Sequence, residues 1–271
     1  MTMDPTGVAV GDPLILEAAG ARVVVRPEEG GRVGSVVVGG RELLVTSDPQ
    51  GLIYWGSYPM APWAGRIRHG RFEYGGRSYQ LPIGMPPHAI HGVVYDKPWS
   101  VVSADTIRIE LDDRWPFRGR LEQRFELAED GLTVTMTLEA DEPMPGVVGW
   151  HPWFRRELDG IAAPARLDFD AAEMLVRDDE GMPTGELVAP SVGPWDDAFT
   201  GVSRPPAIEW GSELRLELSS SCRWWVVYTL PPHAVCVEPQ SGPPDAANRS
   251  PEIVVPGSPL VHEMRWRWSR G

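Results

Sequence analysis

The sequence predicts an all-β chain, folded as a sandwich or barrel of antiparallel strands. Three observations carry that prediction. Short β-branched runs recur along the chain; turn residues separate them at close intervals, with 29 Gly and 28 Pro in 271 residues; and no long segment spaces its apolar residues as a helix would. Many short strands with frequent turns are the pattern of sandwiches and barrels.

In chain order, strands are expected at Ala21–Arg26, Arg32–Val38, 106–111, 132–138, 214–218 and 223–228. Residues 71–81 read as a hairpin around Gly75-Gly76, because paired glycines suit the positive φ angles of tight hairpin turns. A second hairpin is expected at Leu230-Pro-Pro-His233, with Cys236 facing about Val227 and Glu238 near Trp225. At most one or two short helical turns are expected. Stretches 58–68, 84–99 and 182–201 are rich in Pro, Gly and polar groups and read as long loops, where sites form on a β scaffold. No repeat, low-complexity tract or linker interrupts the pattern, so residues 1–271 read as one domain, within the size range of all-β folds.

Composition narrows the function. Hydrophobic residues make up 42% of the chain, enough for a packed core. The apolar runs, such as residues 224–228, are strand-sized and far short of the ~20 residues of a spanning helix. The start, Met1-Thr-Met-Asp-Pro, lacks a basic segment followed by an apolar one, so a cytoplasmic protein is expected. A net charge of −13 repels nucleic acid and anionic lipid and favours a neutral small molecule as partner. The two cysteines, Cys222 and Cys236, are placed neither for a disulfide nor at metal-site spacing.

Among six histidines, three stand in unusual company. His88-Ala-Ile-His91-Gly92 lies in one of the loops, and Trp150-His151-Pro152-Trp153, after a strand, sets a histidine between two indoles. His69 and His262 read as surface groups and His233 as a turn residue. His88, His91 and His151 could in principle ligate a metal, but HxxH in a Pro-rich loop lacks the fixed geometry of a helical motif; no metal and no cofactor is expected. Most acids, such as Asp178-Asp179-Glu180, read as a solvated face. Glu238 differs: it ends the apolar run Ala234-Val-Cys-Val and precedes Pro239-Gln-Ser-Gly. A carboxylate there is costly unless it has partners or a raised pKa, which is the signature of a working acid or base. Twelve tryptophans supply broad apolar faces of the kind sugars stack on, although most belong to a core. No nucleophile elbow or phosphate loop is present.

Five segments in order then resemble the aldose 1-epimerase (galactose mutarotase) family. They are Gly65-Arg66-Ile67 with Gly70-Arg71-Phe72, His91-Gly92 with Trp99, His151-Pro152-Trp153-Phe154, Trp195-Asp196-Asp197-Ala198-Phe199, and Cys236-Val-Glu238-Pro239-Gln240-Ser241 with Asn248. The resemblance implies a large antiparallel β-sandwich with a cleft on one face and no cofactor. It implies Glu238 as catalytic base and His151 as catalytic acid, with Arg66, His91, Asp196 and Gln240 as sugar contacts. Gly65, Val93, Trp153 and His88 depart from the family pattern and alter the pocket lining.

Mutarotation opens the hemiacetal ring of a hexose and closes it on the other face of C1. It needs one group to take the C1 hydroxyl proton and another to protonate the ring oxygen. A carboxylate and an imidazolium suit those tasks near neutral pH. The alternatives are a hexose-6-phosphate 1-epimerase using Arg68, Arg155 or Arg223, a glycoside-processing enzyme pairing Glu238 with Asp196, and a carbohydrate-binding protein without catalysis. A monomer or homodimer is expected.

Overall fold

The computed structural model describes residues 11–270; the opening segment read for a leader lies outside them. Two antiparallel sheets face one another. The larger runs Leu14–Ala18, Ala21–Arg26, Arg32–Val38, Ser57–Met60, Gly149–Arg155, Ala234–Gln240, Trp224–Tyr228, Asp196–Val202, Ala171–Arg177, Pro183–Val188, with Arg41–Glu42 added to Arg32–Val38. The second runs Ser100–Ser103, Thr106–Glu110, Gly119–Ala128, Gly131–Ala140, Leu260–Arg270, Leu214–Ser220, Ala207–Trp210, Arg166–Asp168. Both have open ends, so the choice between sandwich and barrel falls to the sandwich.

Strands at Ala21–Arg26 and Arg32–Val38 have the expected bounds. The four others appear as Thr106–Glu110, Gly131–Ala140, Leu214–Ser220 and Trp224–Tyr228. The first hairpin turns on Gly75 and Gly76, at φ 58° and 73°, with Tyr74 facing Arg77. The α-helix among the described residues is one turn, Ala246–Arg249.

Three expectations are corrected. Residues 182–201 are not a loop: most belong to Pro183–Val188 and Asp196–Val202. Pro183 and Gly185 masked the first, which is tolerated because it lies at the sheet edge. His151 does not follow a strand but sits inside one, Gly149–Arg155, despite Pro152. The second hairpin closes through a wide loop over residues 229–233, which puts Cys236 opposite Tyr228 and Glu238 opposite Val226. A one-residue shift sends a side chain to the other face, so Trp225 is not the neighbour of Glu238.

The core between the sheets follows strand parity. In Gly131–Ala140 every second residue, Leu132, Val134, Met136, Leu138 and Ala140, is buried. Facing them are Val23, Val25, Val36, Phe154, Val235 and Val237 of the larger sheet. Phe154 meets Trp266 edge-on at 5.0 Å. One polar chain crosses this core: the Trp150 indole donates to Gln123 Oε1 (3.2 Å), whose amide donates to Gly31 O (2.8 Å).

The two central strands are also buried on their outer face. In Ala234–Gln240 all seven residues are buried. Val235 and Val237 enter the inter-sheet core, while Ala234 and Cys236 pack in a second cluster with Tyr58, Met60 and Trp153. Arg32 underlies that cluster. It is fully buried, and its guanidinium donates to the carbonyls of Glu29 (2.6 Å), Trp55 (2.9 Å) and Tyr95 (3.2 Å). It also lies 4.2 Å from the Trp55 ring centre and 5.5 Å from that of Tyr58. Burial pulls its pKa down to about 10.

Phe154→Ala is expected to cost about 3–5 kcal/mol of stability in a denaturant titration, whereas Val192→Ala, at a side chain 96% exposed, is expected to change it by less than about 0.5 kcal/mol.

Candidate active site

A cavity of about 980 Å³, counted to its open mouth, lies on the outer face of the larger sheet. Its floor is built by parity. Gly149 faces Gln240 and Trp153 faces Cys236, so His151 falls opposite Glu238. The Trp153 amide bonds away from this neighbour, to Gly56 O at 2.9 Å, and His151 shares its orientation two residues earlier. His151 and Glu238 are therefore a non-hydrogen-bonded cross-strand pair, the kind whose side chains approach most closely. His151 Nε2 lies 3.2 Å from Glu238 Oε1. Pro152 and Pro239, one on each strand, lack the amides that would bond across the gap beside this pair.

The His151 imidazole is held between parallel rings. Tyr58 stacks on one side at 4.9 Å and 24°, Trp153 on the other at 5.3 Å and 6°. His233, read as a turn residue, continues the column, stacking on Trp153 at 6.1 Å and 9°. His91 meets His151 edge-on at 5.2 Å. It sits at φ 57°, anchored by its amide to Gly65 O (3.0 Å). The following residue must be glycine: a Cβ on Gly92 would lie 1.9 Å from Ala61 O. Glu238 Oε2 accepts from Gln240 Nε2 at 3.3 Å. The structure places Glu238, His151, His91, Gln240, Arg66 and Asp196 on the lining of one cavity.

Arg66, on the short strand Arg66–Ile67, lies 4.0 Å from Asp196. Asp196 is shared with Arg177 at 3.2 Å, and Arg177 also reaches Asp197 at 2.9 Å. Arg177, Tyr58, Tyr54 and Tyr228 line the cavity and went unread in the sequence. Arg177 precedes the acidic run read as a solvated face; two of those acids, Asp178 and Glu180, instead grip Arg68. His88 stands apart from His151: its Nδ1 accepts from the His69 amide (3.1 Å) and its Nε2 meets Glu180 O (3.2 Å). A His88–His91–His151 metal set is thereby excluded, but His151, Cys236 and Glu238 converge within 4.8 Å, a grouping that spacing alone did not suggest.

Burial governs the electrostatics. It pushes the Glu238 carboxyl well above its ordinary pKa, with the charge of Asp196 adding to the rise. It pulls His151 down to about 3, and His91 well below its ordinary value. Both shifts favour uncharged partners, so the pair holds its proton at lowest cost as carboxylic acid and neutral imidazole, rather than as the carboxylate and imidazolium expected from sequence.

The stability consequences have opposite signs. The unfolded chain ionises Glu238 near its ordinary value of 4.5 while the native chain keeps the proton, so this group lowers stability as pH rises above that value. His151 binds a proton in the unfolded chain below 6.5 and in the native chain only near 3, so it lowers stability as pH falls below 6.5. Glu238→Gln removes the first contribution. Its denaturation midpoint is expected to match wild type near pH 4 and to exceed it increasingly towards pH 7.

The sequence profile described as aldose 1-epimerase matches residues 13–267. Among curated proteins, the chain is 34% identical over 104 residues to the uncharacterized YphB of Escherichia coli K12, covering 36% of each chain. It is 26% identical over 163 residues to the galactose mutarotase of Mus musculus, covering 56% of this chain and 46% of that one. The chain thus spans well under two thirds of these relatives' length. Among solved structures, a putative aldose 1-epimerase of E. coli K12 superposes with a TM-score of 0.81 at 21% identity, covering 96% of this chain and 99% of that one. A galactose 1-epimerase of Lactobacillus acidophilus superposes with a TM-score of 0.78 at 18% identity, covering 95% and 94%. With the profile spanning nearly its whole length over the same kind of sandwich, the chain belongs to the aldose 1-epimerase family.

Proposed function

We propose that the protein is a cofactor-independent hexose mutarotase in which Glu238 and His151 exchange protons with the sugar. The observation that carries this reading is the buried 3.2 Å contact between the two groups at the floor of the cavity. Glu238 as carboxylate takes the C1 hydroxyl proton while His151, protonated, gives one to the ring oxygen. After rotation about C1–C2 the roles reverse: Glu238 returns its proton to the C1 oxygen, and His151 takes its proton back from the C5 hydroxyl as the ring closes. The proton the pair shares at rest moves from Glu238 to His151 when sugar hydroxyls and Arg66 solvate the carboxylate. His91, neutral because of its burial, offers a hydrogen bond rather than a charge. Arg66 and Asp196 bind sugar hydroxyls, and Gln240 orients the Glu238 carboxylate through its 3.3 Å bond.

The ion pairs favour an unphosphorylated sugar. Arg177 is committed to Asp196 and Asp197 and Arg68 to Asp178 and Glu180, while Asp196 offsets the charge of Arg66 from 4.0 Å. Arg155 and Arg223 do not line the cavity. A phosphate would have to break those pairs. The glycosidase reading needs a free second carboxylate, and the Asp196 carboxylate is bridged by two guanidiniums.

Polarimetry with freshly dissolved α-D-glucose and α-D-galactose tests this. Glu238→Gln and His151→Asn are each expected to lower kcat by about 10²–10⁴-fold, the usual contribution of positioned acid–base groups. Near-normal rates in either variant would remove that residue from the mechanism. Arg177→Met frees Asp196 on one side and is expected to raise KM more than it lowers kcat. Glucose 6-phosphate is expected to be turned over more slowly than glucose.

A further inference from the structure

The proposed chemistry leaves a third neighbour of the pair unused. Cys236 lies two residues before Glu238 on the same face of the strand and opposite Trp153. One ligand atom from each of His151, Cys236 and Glu238 lies within 4.8 Å of the other two. The three residues are 6%, 0% and 2% exposed, and His151 Nδ1 has no hydrogen-bond partner. His151 and Glu238 open onto the cavity, while Cys236 is buried beside them in the cluster of Tyr58 and Trp153.

We propose that His151, Cys236 and Glu238 form a binding site for a thiophilic divalent cation of the Zn²⁺ class, which occupies the floor of the cavity and blocks sugar from the acid–base pair. Tetrahedral zinc holds thiolate at about 2.3 Å and nitrogen or oxygen at about 2.0–2.2 Å, which sets its ligand atoms about 3.3–3.6 Å apart. The His151–Glu238 separation of 3.2 Å is close to that spacing, and the Cys236 sulfur, within 4.8 Å of the other two ligand atoms, closes in by up to about 1.2 Å through side-chain rotation. Three protein ligands leave the fourth position on the open, cavity side. Charge also fits. A buried carboxylate is costly alone, but one thiolate and one carboxylate neutralise a dication in the same desolvated space. The thiol proton and the proton shared by the pair leave to solvent as the ion enters. The mixed sulfur, nitrogen and oxygen set selects against Mg²⁺ and Ca²⁺, which require more oxygen ligands.

The site rests on geometry, and its first test does not depend on the epimerase reading. The purified full-length protein is titrated with Co²⁺. A thiolate-to-cobalt charge-transfer band in the near ultraviolet, saturating at one equivalent and bleached by Zn²⁺, is expected. Cys236→Ser should abolish the band, His151→Asn should weaken it, and Cys222→Ser should keep it. Absence of a band in the wild type, or its survival in Cys236→Ser, overturns the proposal. The second test is polarimetric: Zn²⁺ is expected to raise the apparent KM of the wild type. Cys236→Ala should keep basal activity and lower zinc sensitivity by at least about 100-fold, since even outer-shell changes cost about 10–100-fold in metal affinity. Undiminished zinc inhibition in that variant also overturns the proposal.

Discussion

Burial of the two central strands on both faces is the constraint on which everything else depends. Gly149–Arg155 and Ala234–Gln240 are almost wholly inaccessible. Strand parity therefore divides each between two dry environments. Trp150, Phe154, Val235 and Val237 join the sheets. His151, Trp153, Cys236 and Glu238 face the other way, between the sheet and the segments laid over it. The same burial that stabilises the sandwich through apolar contact denies solvent to a carboxyl and an imidazole.

That denial sets the character of the site. Groups held away from water are easily shifted between protonation states by the few polar groups within reach, because each hydrogen bond counts for more where the dielectric is low. The polar groups are supplied asymmetrically. Glu238 has Gln240 and His151 beside it, while His151 and His91 each keep a ring nitrogen without a partner. Orientation of His151 is left to stacking, and Tyr58 in turn rests over the buried Arg32 guanidinium. Arg32 gathers carbonyls from three segments, including the one through Tyr95 that follows His91. The histidine cluster thus leans on a cation that never reaches solvent.

Much of this was legible in the chain. A carboxylate closing an apolar run and a histidine between indoles are local contradictions of binary patterning, and such contradictions mark functional positions. The strand edges followed from β-branched runs and paired glycines. What remained hidden depends on pairing between distant segments. Arg177 reads as one more charge beside an acidic run until Ala171–Arg177 is placed next to Asp196–Val202. Tyr58 reads as the start of a loop and Cys236 as an ordinary strand residue until Ser57–Met60 and Ala234–Gln240 are set on either side of Gly149–Arg155. The register of the last hairpin was misread because a five-residue loop without a tight-turn dipeptide leaves the pairing to tertiary packing. Prolines inside Gly149–Arg155 and at Pro183 concealed strands for the opposite reason, since proline usually marks where a ladder stops.

Pro152 and Pro239 carry a mechanical consequence. In most of the sheet, backbone hydrogen bonds fix the distance between neighbouring strands. Beside His151 and Glu238 two of those ties are missing by covalent necessity, and the ladder between the strands skips from Gly149 to Trp153. The interval there is kept by what is wedged on either side: the stacked rings above and the Val237 and Phe154 packing below. The gap between imidazole and carboxylate is thus a property of side-chain volume, adjustable by exchanging one ring for another without redrawing the backbone.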